Sequence, residues 1–183
     1  TYDLIVSSNP SMPEFCAQAA QSFPGQKFLV LDGFLTGNAA VKTVGFDQYQ
    51  QAWLNGYFAG LVTSSDMPSS NKALKIGLLA GQEYPVMNED IRTGFLDGAR
   101  AVNKAIELDF RVLGNWYDAT KAESLANDMI RGGVDVILTI AGGGNQGVIS
   151  AARSSGAYVT WFDSPGYAQA PGIIIGSTVV RQT

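Results

Sequence analysis

Short apolar runs alternate with helix-periodic stretches along this chain, and that alternation constrains the fold more than any other feature. The runs occupy residues 3–7 (DLIVS), 27–32 (KFLVLD), 41–46, 74–80 (LKIGLLA), 109–114, 134–141, 157–162 (AYVTWF) and 173–175. Most are continuously apolar, the pattern of strands covered on both faces. Helical periodicity fills the intervals. Phe15, Cys16, Ala19, Ala20 and Phe23 follow a Ser11–Glu14 capping box with Pro13 in its first turn. Over residues 48–64, Leu54, Tyr57, Phe58, Leu61 and Val62 form an apolar stripe. Ile91, Phe95, Ala99 and Val102 mark a third helix, which Gly94 and Gly98 make thin on one side, and whose first turn takes Glu89 and Asp90 as favourable charges. Ala122, Leu125, Ala126 and Met129 mark a fourth, capped at Asp118 or at Thr120, the latter forming a capping box with Glu123, and closed by Gly132 and Gly133, and residues 145–155 a fifth.

Strand–helix alternation of this kind predicts an α/β fold with parallel sheets, helices lying on both faces. The polar, Pro-containing stretch 64–71 (SSDMPSSN) interrupts the series. It predicts two such sheets, each incomplete on this chain. The chain opens at Thr1 and runs almost directly into an apolar strand, so it reads as an internal piece of a longer protein.

Composition narrows the function. There is no histidine and a single cysteine, Cys16. Ser-His-Asp and Cys-His triads, His-based proton transfer, His metal ligands, Cys-rich zinc sites and intrachain disulfides are therefore excluded. Cys16 lies on an apolar helical stripe, where it reads as a small core hydrophobe. The net charge of -4 comes with no basic patch, so nucleic acid is not an expected partner. No apolar run approaches the ~20 residues that span a bilayer.

Ligands of open parallel sheets bind beyond the carboxyl ends of the strands. The residues there are Ser7 to Asn9, Asp32, Gly81 to Tyr84, Asn115 to Tyr117, Gly142 to Gln146 and Asp163. They are polar and aromatic, include the carboxylates of Asp32, Glu83 and Asp163 and contain no nucleophile–base pair, which suits recognition of a flat, hydroxylated ligand. Trp116 reads either as a ring stacking on a ligand or as a lid over its own lobe; Tyr117 is the alternative stacker. Asp163 reads as an acceptor for vicinal hydroxyls or as a turn acid before Pro165. Asp32, before Gly33, has the same placement. Gly142 to Gly147 (GGGNQG) fits the dinucleotide fingerprint G-x-G-x-x-G, with Asp163 lying 21 residues beyond Gly142 where such folds place a ribose-binding acid. The other reading is a tight turn that presents a helix N-terminus to the cleft.

Several motifs in order carry a resemblance. Residues 2–6 (YDLIV), 27–32 (KFLVLD), 53–60 (WLNGYFAG), 94–98 (GFLDG), 132–137 (GGVDVI), 141–143 (AGG) and 162–164 (FDS) together resemble the basic membrane protein family of bacterial lipoproteins, which includes purine-nucleoside receptors of ABC transporters. The resemblance implies a type I periplasmic-binding fold of two Rossmann-like lobes with parallel sheets, residues 1–68 being part of the first, 69–163 most of the second, and 164–183 a hinge crossover and the start of a return segment. It also implies an extracytoplasmic, lipid-anchored receptor with no cofactor. It would bind a nucleoside between its lobes and pass it to a transporter permease. By position in the family motifs, Trp116 would stack on the base, Gly142 and Gly143 line the pocket, and Asp163 and Asp32 hold the ligand. The family turn Gly-Gly-Thr-Gly is Gly142-Gly-Gly-Asn145 here, and a family lysine near the end of the stretch has no counterpart in residues 177–181 (STVVR). The alternatives are an NAD-type oxidoreductase, resting on Gly142 to Gly147 with Asp163, and the ligand-sensing core of a transcription regulator, which shares the two-lobe fold.

Overall fold

The computed structural model describes residues 2–9 and 12–180. The expected Ser11 cap and Arg181 lie outside the described residues. In chain order the elements are β1 (Ile5–Ser8), α1 (Met12–Ser22), β2 (Phe28–Leu31), β3 (Val41–Val44), α2 (Gln48–Thr63), β4 (Lys75–Ala80), α3 (Arg92–Val102), β5 (Glu107–Val112), α4 (Ala119–Arg131), β6 (Val134–Ile140), α5 (Asn145–Ser155), β7 (Tyr158–Phe162) and β8 (Ile174–Thr178). A π-helical turn, Met87–Ile91, leads into α3 with Glu89 and Asp90 as its acidic opening. A 3-10 turn, Gly142–Gly144, leads into α5.

Strands β1-β2-β3 form one parallel sheet, and β5-β4-β6-β7-β8 a second. The chain divides into compact units at Thr1–Asp47 and Gln48–Thr183. This differs from the expected division at 68/69: α2, there grouped with the first lobe, packs on α3 of the second unit. Residues 174–178, expected within a crossover, pair with β7 as the edge strand β8.

In the first unit, Cys16 of α1 packs with Phe28, Val30 and Val41 in a small core, as a buried free thiol. Phe15 and Phe23, expected on the same stripe, are 60% and 66% exposed. In the second unit, β4 and β6 are buried almost throughout, and alternate residues serve opposite faces. Leu79, Val134 and Ile137 pack under α4 and α5, whereas Ile76, Leu78, Val136 and Leu138 pack under α2 and α3.

Helix α2 largely reverses the expected facing. Val62 of the apolar stripe is buried, but Leu54, Tyr57, Phe58 and Leu61 are exposed to between 36% and 59%, while Gln51, Ala52, Asn55, Gly56, Ala59 and Gly60 are buried. The cause is backbone proximity to α3. A Cβ on Gly56 would overlap the Phe95 carbonyl, and one on Gly98 the Trp53 carbonyl. Only the small-residue face of α2 fits so close a crossing, and the large side chains turn outward.

Candidate functional site

The carboxyl ends of β4, β5, β6 and β7 all lie on one edge of the five-stranded sheet, because every pairing is parallel. The loop after β5 is pinned at each step. Leu113 N–H donates to the Ala80 carbonyl at 2.8 Å and Gly114 N–H to that of Gly81 at 2.8 Å. Asn115 Oδ1 accepts from the N–H groups of Tyr117 (3.0 Å) and Asp118 (2.8 Å). Asp118, rather than Thr120, caps α4: its Oδ1 accepts from Lys121 N–H at 2.9 Å. Lys121 Nζ returns to the Leu113 carbonyl at 2.7 Å.

This loop presents Trp116 half-buried and Tyr117 78% exposed. The indole lies on the backbone of Gly81, where any Cβ would come within 2.5 Å of the ring. Trp116 Nε1 donates to Gln82 Oε1 at 3.2 Å, and the Tyr84 ring stands 6.4 Å away at a 39° tilt. The rotation of the indole is therefore set from two sides.

Trp116 also meets the glycine turn. Its carbonyl accepts from Gly143 N–H at 2.8 Å. Gly142 has φ +58, and a Cβ there would lie 2.7 Å from the same carbonyl oxygen. Asn145 closes the turn from the other side: its Oδ1 accepts from Ala141 N–H and Thr139 Oγ1, each at 2.7 Å. At the end of the G-x-G-x-x-G spacing, Gly147 lies against α4, where a Cβ would overlap the Ala119 carbonyl. These glycines answer to helix packing and to contact with the Trp116 backbone.

Asp163 follows β7, the strand next to β6, and is exposed with φ +65. Asp32 follows β2 in the other unit with φ +57. Asn9, which follows β1, is left-handed as well. Short Asx side chains tolerate this conformation best among non-glycine residues, so each of these three strands ends in a turn that only a few residue types hold cheaply. Gln51 of α2 donates through Nε2 to Asp163 Oδ1 at 2.9 Å and to the Thr178 carbonyl at 3.0 Å. Asn55, one turn further along, donates through Nδ2 to the Trp161 carbonyl at 2.9 Å and to Thr178 Oγ1 at 3.2 Å.

Four of the five expected site residues thus share one sheet edge: Trp116, Gly142 and Gly143 in direct contact, and Asp163 on the neighbouring strand end. Asp32 belongs to the three-stranded unit. Gln82 and Asn145 fall within the strand-end segments expected from sequence, whereas Gln51 and Asn55 were not singled out from it. For Gln51 and Asn55 a signal existed: amides at i and i+4, interleaved with Ala52, Gly56, Ala59 and Gly60. The large apolar stripe on the same helix overshadowed it. Among the described residues no cluster of metal-ligating side chains occurs, and no helix is long and apolar enough to cross a membrane.

Over residues 1–183 the chain matches the Bmp family, described as ABC transporter substrate-binding protein PnrA-like. It is 28% identical to the ABC transporter nucleoside-binding protein BmpA of Lactococcus lactis subsp. cremoris, over 84% of this chain and 41% of that protein. It is 33% identical to basic membrane protein A of Borreliella afzelii, over 73% of this chain and 39% of that protein. A solute-binding protein of an ABC transporter system from Aeropyrum pernix superposes with a TM-score of 0.87 at 25% identity, covering 96% of this chain and 50% of that one. The chain spans about half the length of these relatives or less. The fold is that of the type I periplasmic-binding proteins, as the strand–helix alternation and the motif resemblance led one to expect. The chain belongs to the Bmp family of PnrA-like ABC transporter substrate-binding proteins.

Proposed function

We propose that this chain is the ligand-gripping part of an extracytoplasmic receptor that binds a nucleoside, a purine nucleoside foremost, and delivers it to an ABC transporter permease without chemical turnover. The observation that carries this reading is Trp116, a large π-surface held at the sheet's carboxyl edge by Gly81, Gln82 and the glycine turn. A planar base stacks on such a surface for about 1–3 kcal/mol. Gly142 and Gly143 line the approach, and the Asp163 carboxylate accepts hydrogen bonds from ribose hydroxyls, charge-assisted and hence strong. Asp32 is included on its strand-end placement and its position in the family motifs. The name of the Lactococcus lactis relative supports the ligand class. Attachment to the membrane would come through a lipid anchor.

The dinucleotide reading has no comparable support, since packing and backbone contact account for Gly142 and Gly147. Calorimetric titration of the whole protein with purine and pyrimidine nucleosides tests the proposal. Saturable one-site binding of at least one purine nucleoside is expected, with no product formed on incubation. A flat titration across the panel sinks the nucleoside reading and leaves the family assignment standing.

A further inference from the structure

We infer that Gln51 is a positioning residue for Asp163, holding its carboxylate in the orientation that receives a ligand's hydroxyl groups. The inference deepens the proposed nucleoside function and rests on the ribose role given to Asp163 there.

Asp163 is exposed at a strand end, in a left-handed turn, on a side chain with two rotatable torsions. A carboxylate spread over several rotamers costs a ligand that needs one of them affinity in proportion. Gln51 narrows that spread. It is 4% exposed and sits on α2, the helix locked against α3 by close backbone contact at Gly56 and Gly98. Its Nε2 has two hydrogens, and both are placed: one on Asp163 Oδ1, the other on the Thr178 carbonyl at the end of β8. The second bond orients the amide, so that the first is delivered along a fixed direction. Asn55 repeats the arrangement one turn on, fastening the Trp161 carbonyl two residues before Asp163. The helix thereby clips the ends of β7 and β8 together and sets both the backbone and the carboxylate of the turn.

The amide character of Gln51 matters, not merely its bulk. Its Oε1 is buried without a hydrogen-bond partner. A buried polar atom left unsatisfied is destabilising, so nothing on the oxygen side favours an amide at this position. The donor side alone accounts for it. A glutamate of the same size would set a carboxylate against a carboxylate and a carbonyl.

The experiment compares wild type, Q51M, D163N and the double variant Q51M/D163N in the whole protein. Each is titrated with a purine nucleoside and with its 2′,3′-dideoxy counterpart. Q51M is expected to weaken nucleoside binding about tenfold and to leave dideoxynucleoside binding unchanged. The double variant is expected to bind like D163N alone, since a positioning residue has no effect once the group it positions is gone. If Q51M does not fold, Q51A, which also removes the donor and adds no charge, takes its place with the same expected pattern. Equal losses for both ligands, or losses that add in the double variant, overturn the positioning role in favour of a general structural one. Unchanged binding by Q51M beside a weakened D163N overturns it while sparing the ribose role. Unchanged binding by D163N overturns the ribose role, and the positioning role falls with it.

Discussion

At the scale of single residues, two side chains give opposite lessons about burial. Trp116 is held by Gly81, Gln82 and the glycine turn yet offers a face, and on the proposed function W116A should weaken nucleoside affinity roughly 5- to 150-fold, the equivalent of about 1–3 kcal/mol. Thermal stability should change much less, because the ring is half-buried and rests on backbone. A W116A variant that binds all nucleosides as tightly as wild type removes Trp116 from the site. Asp135, by contrast, is a residue of β6, 1% exposed, and accepts from Asn71 N–H at 2.8 Å through Oδ2. Burial raises its pKa above the ordinary 3.8, and hydrogen bonding only partly opposes the shift. The folded state therefore favours the protonated acid. Its stabilising contribution is complete below 3.8 and is lost as pH rises through the raised folded-state value. D135N keeps an acceptor for Asn71 and carries no charge. Its urea midpoint should equal or exceed that of wild type at pH 7, and the difference should shrink as pH falls toward 4. A D135N midpoint well below wild type at neutral pH contradicts this. Trp116 and Asp163 were legible in sequence because a strand's end is legible. Gln51 was not, because its partner lies 112 positions away and only folding brings the two together.

At the scale of elements, strand and helix positions followed from local pattern almost everywhere, whereas the facing of α2 did not. A stripe of Leu54, Tyr57, Phe58 and Leu61 carries the larger apolar area, and area alone would bury it. Close packing chose the other face, since Gly56, Ala59 and Gly60 allow the α2 backbone to reach that of α3, where Gly94 and Gly98 receive it. Introducing a methyl group at that crossing forces the helices apart. G98A should cost about 1–3 kcal/mol of unfolding free energy, although alanine improves helix propensity. Chemical denaturation measures it, and a stabilised G98A would show that the helices do not cross as closely as described. The cap of α4 is a smaller instance. Thr120 and Glu123 have the spacing of a capping box, but Asp118 reaches Lys121 N–H first, because the Asn115 turn delivers the chain there.

At the scale of the whole molecule, the two units differ in what holds them. The first relies on a core of Cys16, Phe28, Val30 and Val41 under three four-residue strands, whereas the second has two extended cores on either face of a five-stranded sheet. Small cores bury a smaller share of their surface and open at lower free energy. Amide exchange should therefore run faster at Leu29 and Val30 than at Leu78 and Leu138, read by mass spectrometry or NMR. Equal protection in both sheets would mean that they open as one cooperative unit. The sequence by itself determined the α/β class, the parallel sheets, the strand-end positions of Trp116, Gly142, Gly143, Asp163 and Asp32, and the family. All of these are written in local periodicity and in the order of short motifs. Only the tertiary structure decided where the compact units divide, which face of α2 is buried, why the glycines of the Gly142–Gly147 run are glycines, and that Gln51 holds Asp163. Each of those depends on the distance between backbones far apart in the chain, and periodicity along one segment carries no information about how near another segment will come.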